Sequence, residues 1–329
     1  MKSGLSPYIP FKMAIEIIQA GVLTTLQDLG RSGYRAQGVV LSGAMDGFAH
    51  RVANWLVGND ENQPTLEITM GGLEIVFHEP ALIALGGFGV RAFLNQSPMD
   101  CWKSTAVQPR DRLKVMYAGY GCRSYLAVAG GWQISEVLGS YSTYASAGWG
   151  GFRGRALRKG DQIAFTPKPS PQASWSIASS ALPEYSSNPK VRVIEGPEWD
   201  WFTQESQRHW LEENHSVLPQ SNRMGYRLKA ALERSHTGEL LSTAVSPGTL
   251  QVLPDGNLVL LMNDAPATGG YPRIAQVIEA DLCICAQLTT GNEVRFVRIS
   301  AAEAEEIYVS SHQHLQLLKQ SIFQRLYAN

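Results

Sequence analysis

The residues best equipped for chemistry lie in one stretch, Val259-Leu-Leu-Met-Asn-Asp-Ala-Pro-Ala-Thr-Gly-Gly-Tyr-Pro-Arg273. Its apolar start, Val259 to Met262, reads as a short buried strand. That strand delivers Asn263, Asp264, Thr268, Gly269, Gly270 and Tyr271 in quick succession. Glycine has no Cβ, so the backbone N–H groups of Gly269 and Gly270 can come close to a ligand. The same residues also suit a plain hairpin loop, with glycine taking positive φ and Asp264 making a local side-chain bond. A second polar group, Ser221-Asn-Arg-Met-Gly-Tyr-Arg227, carries Arg223 and Tyr226. In a helical turn Arg223 and Arg227 would share a face and could grip a carboxylate or a phosphate. Surface solubility accounts for such arginines equally well. In the first half of the chain Arg31, Ser42 and Asp46 form a third polar group.

Other catalytic signatures are missing. The chain has no His-Glu-x-x-His, no Gly-x-Ser-x-Gly and no Gly-Lys-Ser/Thr. Gly148-Trp-Gly-Gly-Phe-Arg-Gly-Arg155 invites a phosphate-loop reading, but Arg153 stands where the third glycine belongs. His209 and His215 flank a helix end and read as solvated or packed residues. Cys101, Cys122, Cys283 and Cys285 form neither a Cys-x-x-Cys pair nor a secreted disulfide pattern, so they read as small apolar side chains. No Met-Lys-Met biotin attachment site occurs, and Leu113-Lys-Val-Met116 only echoes one.

The elements that must position these residues are mostly strands. Ile15 to Gln19 and Val22 to Asp28 open the chain, and Asp46 is placed to cap a helix from Gly47 to Val57. Short β runs then follow between Gly, Pro, Asn and Asp, the pattern of an antiparallel barrel or sandwich. Pro167 to Pro189 reads as a linker. Gly196-Pro197 would open a helix running to about Leu211. Ser300-Ala-Ala-Glu303 has capping-box spacing and should start a terminal helix that packs on the body. At 329 residues the chain suits two domains. The organisation expected is an extension over 1–12, a first β domain over 13–168, a linker over 169–189, a second β domain over 190–300 and a helix over 301–329.

Charge excludes some partners. Lys+Arg (28) nearly balance Asp+Glu (29), so no general field attracts nucleic acid or an anionic membrane. No apolar signal core or membrane-length run is seen, which points to the cytoplasm.

Many ordered motifs carry a family resemblance. They are Thr24-Thr-Leu-Gln-Asp-Leu-Gly-Arg31, Ser42-Gly-Ala-Met-Asp46, Ala53-Asn-Trp-Leu-Val-Gly-Asn59, Leu66-Glu-Ile-Thr69, Tyr125-Leu-Ala-Val-Ala-Gly-Gly131, Gly154-Arg-Ala-Leu157, Asn222-Arg-Met-Gly-Tyr-Arg-Leu228 and Asp264 to Pro272. With these the chain resembles the biotin-dependent carboxyltransferase-like family, which holds the C subunit of bacterial 5-oxoprolinase, allophanate hydrolase subunit 2 and part of urea amidolyase. The resemblance implies a mainly β fold with a few helices, arranged as two cyclophilin-like β-barrel domains. It implies an ATP-dependent lactam hydrolase that is active only with partners, the B and A subunits of 5-oxoprolinase. Such a complex binds ATP and opens 5-oxo-L-proline to L-glutamate. On this reading Asp264 moves protons and Arg223 holds the substrate carboxylate. Tyr226, Thr268, Gly269, Gly270, Tyr271, Ser42 and Asp46 line the pocket, and no metal is called for. One alternative is a carboxyltransferase component of a biotin-dependent, urea-type carboxylase, with its biotin carrier on another chain. Another is a regulator that binds a kinase inhibitor resembling the B subunit. Gly89, Tyr141, Lys229-Ala230 and Pro266-Ala267 depart from the family pattern, which bears on the substrate more than on the fold.

Overall fold

The computed structural model describes residues 14–168, 176–236 and 238–327. The expected extension over 1–12 and the residues 169–175 of the expected linker lie outside them. Strands dominate. In the first half a six-stranded sheet runs in the order Gln162–Ile163, Ile15–Ala20, Leu73–Phe77, Arg112–Tyr117, Val90–Leu94, Ser97–Met99. A five-stranded sheet runs Leu23–Gln27, Thr65–Thr69, Arg123–Val128, Ala81–Gly87, Ser104–Val107. Alternation along these strands sends Ile15, Ile17, Leu66, Ile68, Ile75 and Leu126 into one apolar core between the sheets.

The second half is built on a seven-stranded sheet. Its order is His215–Ser216, Glu293–Arg298, Lys190–Glu195, Arg273–Val277, Thr249–Val252, Leu258–Leu261, Gly225–Leu228. Its first and last strands meet through a Val217–Leu228 bridge, with Leu218 N–H donating to Arg227 O at 2.8 Å. The sheet is thereby a nearly closed barrel, which removes its exposed edges. Val191, Leu250, Leu260, Ile274 and Phe296 fill it. Among the described residues the Lys190–Glu195 and Glu293–Arg298 pair is parallel, and the other strand pairs are antiparallel.

Four helices complete the described residues: α1 (Gly47–Leu56), α2 (Gln204–Glu212), α3 (Leu282–Cys285) and α4 (Ala301–Tyr327). Asp46 caps α1 as expected, accepting from Ala49 N–H at 2.9 Å. The helix expected from Pro197 forms later: a short 3-10 turn covers Trp199–Trp201, and α2 starts only after Thr203, whose hydroxyl caps it. The Thr203 cap satisfies an N–H that Pro197 has no means of serving, so it fixes the start. Helix α1 and the last turns of α4, through Leu315, Leu318, Ile322 and Leu326, cover the outer face of the five-stranded sheet. Ser300 and Glu303 form the reciprocal capping box, with bonds of 2.7 to 3.2 Å.

Ser300→Ala removes that cap from a helix that shields α1. We expect it to lower stability by about 1 kcal/mol, read as an earlier thermal midpoint. An unchanged midpoint would show that α4 does not unfold with the body.

Candidate functional site

The seam between the two cores is polar, and it gathers most of the residues singled out in the sequence. Its centre is Glu67, in the strand Thr65–Thr69. Leu66 and Ile68 point into the first core, so Glu67 points the other way, towards the second barrel. One carboxylate oxygen accepts from Arg223 Nη1 and lies 3.7 Å from Arg123 Nε. The other accepts from Met45 N–H at 2.9 Å and Tyr125 OH at 2.8 Å. Tyr125 reaches it because the two residues are register partners on adjacent strands. Burial alone would raise the Glu67 carboxyl, but Arg223 and Arg123 outweigh it and hold the group below its usual range.

Arg223 crosses from the second half. Its Nε and Nη2 donate to the two oxygens of Asp264 at 2.9 and 3.1 Å, and Nη2 also donates to Gly43 O at 2.7 Å. Arg123 crosses the other way, donating to Tyr226 OH at 2.6 Å and Ala286 O at 2.5 Å. The Ser42–Asp46 loop lies between them. Asn263 O accepts from Ser42 N–H at 2.9 Å, Asn263 Nδ2 donates to Ala44 O at 2.9 Å, and Met45 is buried in the second core.

These contacts fix where each expected site residue lies. Asp264 and Arg223 do meet as a buried ion pair, and Arg223 shares its charge between Asp264 and Glu67. Arg223 and Arg227 do not share a face: Arg223 sits in the turn before the strand Gly225–Leu228 and is buried, whereas Arg227 is exposed on that strand. Tyr226 faces Arg123 inside the seam. Thr268–Gly269 pairs with Thr243–Ala244 as a short hairpin-like ladder. Neither Gly269 nor Gly270 is among the residues with left-handed φ. At Gly269 the missing side chain makes room for the Gln251 amide, since a Cβ would lie 2.4 Å from its nitrogen. Thr268, Gly270 and Tyr271 face solvent.

Asp46 is the odd charge of the seam. The two guanidiniums are matched by Glu67 and Asp264, so Asp46 has donors but no ion-pair partner among the described residues. The donors are Ala49 N–H, Tyr185 OH at 2.8 Å and Gln287 Nε2 at 2.7 Å. Burial, only partly offset by these donors, pushes its carboxyl up to about 6. Gln287 ties it to Arg123 and Cys122, accepting from both backbone N–H groups at 2.8 and 3.1 Å. Beside Asp46 opens a cleft of about 2000 Å³ between α1, the 180–190 segment and α4, lined by Met45, Phe48, Arg51, Tyr185, Asn263 and Gln276 among others. Of the polar residues singled out in the sequence, Asn263 lines it, whereas Ser42, Asp46, Arg223, Tyr226, Asp264 and Thr268 to Tyr271 do not; the cleft runs past their immediate neighbours.

The glycine-rich loop does not form a phosphate cradle. A Cβ on Gly150 would meet Ser142 O at 2.1 Å, so that glycine serves close chain packing. The loop also buries Arg31, which donates to Val137 O and Ser142 O and stacks on Trp149. Among the described residues no cluster of His, Cys, Asp and Glu has metal-site geometry, and no helix is long and apolar enough to cross a membrane.

Comparison with known proteins gives this seam a family setting. The carboxyltransferase domain family, subdomains A and B, matches residues 37–298. The chain belongs to that family. It is 40% identical to the C subunit of 5-oxoprolinase from Escherichia coli strain K12, over 88% of this chain and 93% of that protein. It is 34% identical to the C subunit of 5-oxoprolinase from Haemophilus influenzae, over 94% of this chain and 98% of that protein. The Kluyveromyces lactis urea amidolyase crystal structure superposes with a TM-score of 0.88 at 30% identity, over 95% of this chain and 20% of that one. Within this carboxyltransferase-type chain, sequence reading missed Glu67, Arg123, Tyr125, Tyr185 and Gln287. The one available signal was a carboxylate in a short apolar strand, Leu66-Glu-Ile-Thr69.

Glu67→Gln leaves Arg123 without a carboxylate, and we expect a loss of about 3–5 kcal/mol of unfolding free energy, measured by denaturant titration. A loss below about 1 kcal/mol, the range of an exposed pair, would contradict the seam's role. For Asp46 the folded value lies above the unfolded one, so the folded state holds the proton longer. Its contribution is therefore most favourable at low pH and is lost as pH rises from about 3.8 to about 6. Asp46→Asn should flatten that part of the wild-type melting-temperature profile, and identical profiles would refute the assignment.

Proposed function

We propose that this chain is the C subunit of an ATP-dependent 5-oxoprolinase that hydrolyses 5-oxo-L-proline to L-glutamate, active when joined to its A and B subunits. The observation that carries the reading is the end-to-end match to two proteins of that name, covering 93% and 98% of their lengths. The urea amidolyases of Lachancea kluyveri and Saccharomyces cerevisiae, by contrast, carry the matching region as 18% of a longer chain.

The chemistry explains the need for ATP. A lactam nitrogen donates into its carbonyl and leaves the carbon a poor electrophile. Transfer of the ATP γ-phosphoryl to the carbonyl oxygen yields ADP and an O-phosphorylated imidate, whose carbon is open to attack and whose oxygen can later leave as phosphate. Water then adds to the carbon, the C–N bond breaks with a proton going to nitrogen, and the acyl phosphate left behind is hydrolysed by a second water to glutamate and phosphate. Such a site needs donors for developing oxygen charge and groups that move protons. In our reading this chain supplies a wall to that site. Thr268, Gly270 and Tyr271 form its exposed surface, and the Arg223–Asp264 pair anchors the loop from beneath. Asp264 thus positions the loop and does not itself take the proton. ATP is assigned to no residue of this chain.

The urea amidolyase superposition favours one rival, a carboxyltransferase component served by a biotin carrier on another chain. Reconstitution separates the two. The chain, co-purified with its A and B partners, should form glutamate and ADP from 5-oxoproline and ATP, and omission of this chain should abolish turnover. Biotin-dependent carboxylation of urea without 5-oxoproline hydrolysis would overturn the proposal.

A further inference from the structure

The cleft beside Asp46 holds a hydrogen-bonded pair that the loop wall does not use. Asp46 is fully buried, but Tyr185, which contacts it, lines the cleft. The Tyr185 ring stacks on Phe88, with centroids 5.3 Å apart and planes at 24°. That stack aims the phenol at the carboxylate, and its O–H donates to Asp46 at 2.8 Å. Among the described residues no group donates to the Tyr185 oxygen, so its lone pairs are left for a water or ligand in the cleft. Behind the pair, Gln287 Nε2 and Ala49 N–H fix the carboxylate oxygens. A large cleft bordered by convergent polar groups and a carboxyl shifted towards neutrality is where chemistry is expected.

The cleft joins this pair to the foot of the wall. Ala44 and Asn263 both line it, and Asn263 Nδ2 donates to Ala44 O, two residues before Asp46. Ser246 lines it too, two residues past Ala244, the strand partner of Thr268. A substrate seated at Ala44 and Asn263 thus lies between the wall and Tyr185. The titratable groups that act on Asp46 are Glu67 and Tyr125 from the five-stranded sheet, Tyr185 from the 180–190 segment and Cys283 from α3. On α1 itself Arg51 folds back, donating to Gly47 O at 3.3 Å.

We propose that Tyr185, backed by Asp46, is the proton-transfer group for opening the lactam, an inference that rests on the function proposed above. The phosphorylated ring keeps its N–H proton. As water forms its C–O bond to the ring carbon, it gives a proton to the Tyr185 oxygen, and the Tyr185 proton moves to the Asp46 carboxylate. When the C–N bond breaks the path runs in reverse: Asp46 reprotonates Tyr185, and Tyr185 gives its proton to the ring nitrogen. The new hydroxyl loses its proton to water as the carbonyl re-forms. A carboxyl poised at about 6 serves both directions near neutral pH.

The test follows ATP-dependent glutamate formation against pH by the chain assembled with its A and B partners. The wild-type rate should rise through about pH 6, as Asp46 ionises. Tyr185→Phe keeps the ring on Phe88 and removes only the hydroxyl. It should lower kcat by about a hundredfold or more, erase that limb, and leave KM and the melting midpoint nearly unchanged. Asp46→Asn should erase the same limb, whereas Phe88→Leu, which keeps the hydroxyl, should retain it. The proposal is overturned by a Tyr185→Phe complex with wild-type turnover, by one that is slower with the limb intact, or by a loss of activity that tracks loss of assembly or a lower melting midpoint. A wild-type complex that forms no glutamate overturns the functional reading first, and this proposal with it.

Discussion

One buried carboxylate, shared by two guanidinium groups from opposite halves of the chain, sets the terms for the rest of the structure. Glu67 is 1% exposed, and Arg223 and Arg123 close on it from the second and first halves. Taking such charges out of water costs several kcal/mol each unless they are paired and fully hydrogen-bonded. The seam meets most of that demand: the Arg223 and Arg123 guanidiniums face the Glu67 and Asp264 carboxylates, two tyrosine hydroxyls and backbone groups of Gly43, Met45 and Ala286, and Arg123 Nε is left with the 3.7 Å ion pair to Glu67 and no hydrogen bond. Because the lattice draws on both sheets, on the Ser42–Asp46 loop and on the residues after α3, the two cores cannot move apart without stranding a charge. The same balance leaves Asp46 as the seam carboxylate lacking a cation, and burial lifts it towards neutrality.

The fold was largely legible because it follows from periodicity. Ile15 to Gln19, Leu73 to Phe77 and Glu293 to Val297 alternate with period two, and each is a strand. The Asp46 cap and the Ser300–Glu303 box are local signals and formed as local rules require. The helix after Pro197 starts later than its sequence suggests because Pro at a first turn permits a helix without starting one, while the Thr203 cap does start one. The site was only half legible. Arg223, Asp264, Tyr226 and the Ser42–Asp46 loop do converge, yet their roles depend on what faces them. Nothing within five residues of Glu67 tells a solvent-facing strand carboxylate from one covered by a second barrel. Tyr185 and Gln287 come from segments 139 and 241 residues away from the Asp46 they contact, distances over which no sequence pattern speaks.

This arrangement also gives the Asp264–Tyr271 loop a clearer meaning. Its base is pinned by Asp264 and by the Asn263 contacts to the Ser42–Asp46 loop, while Thr268, Gly270 and Tyr271 stand in solvent. A loop rigid at one end and exposed at the other suits presentation to a ligand or to a neighbouring subunit. The family uses the same fold as a whole subunit and as one part of a much longer enzyme.

The central claim is that Asp264 holds this wall through Arg223 and does not move protons itself. The pH–rate profile of ATP-dependent glutamate formation by the assembled enzyme, wild type against Asp264→Asn, tests it most directly. The account predicts a reduced rate whose pH dependence keeps its wild-type shape, together with a lower melting midpoint as the Arg223 contact weakens. A fall of about a hundredfold or more, with loss of one limb of the profile and no change in melting, would contradict it and return Asp264 to the role of proton acceptor.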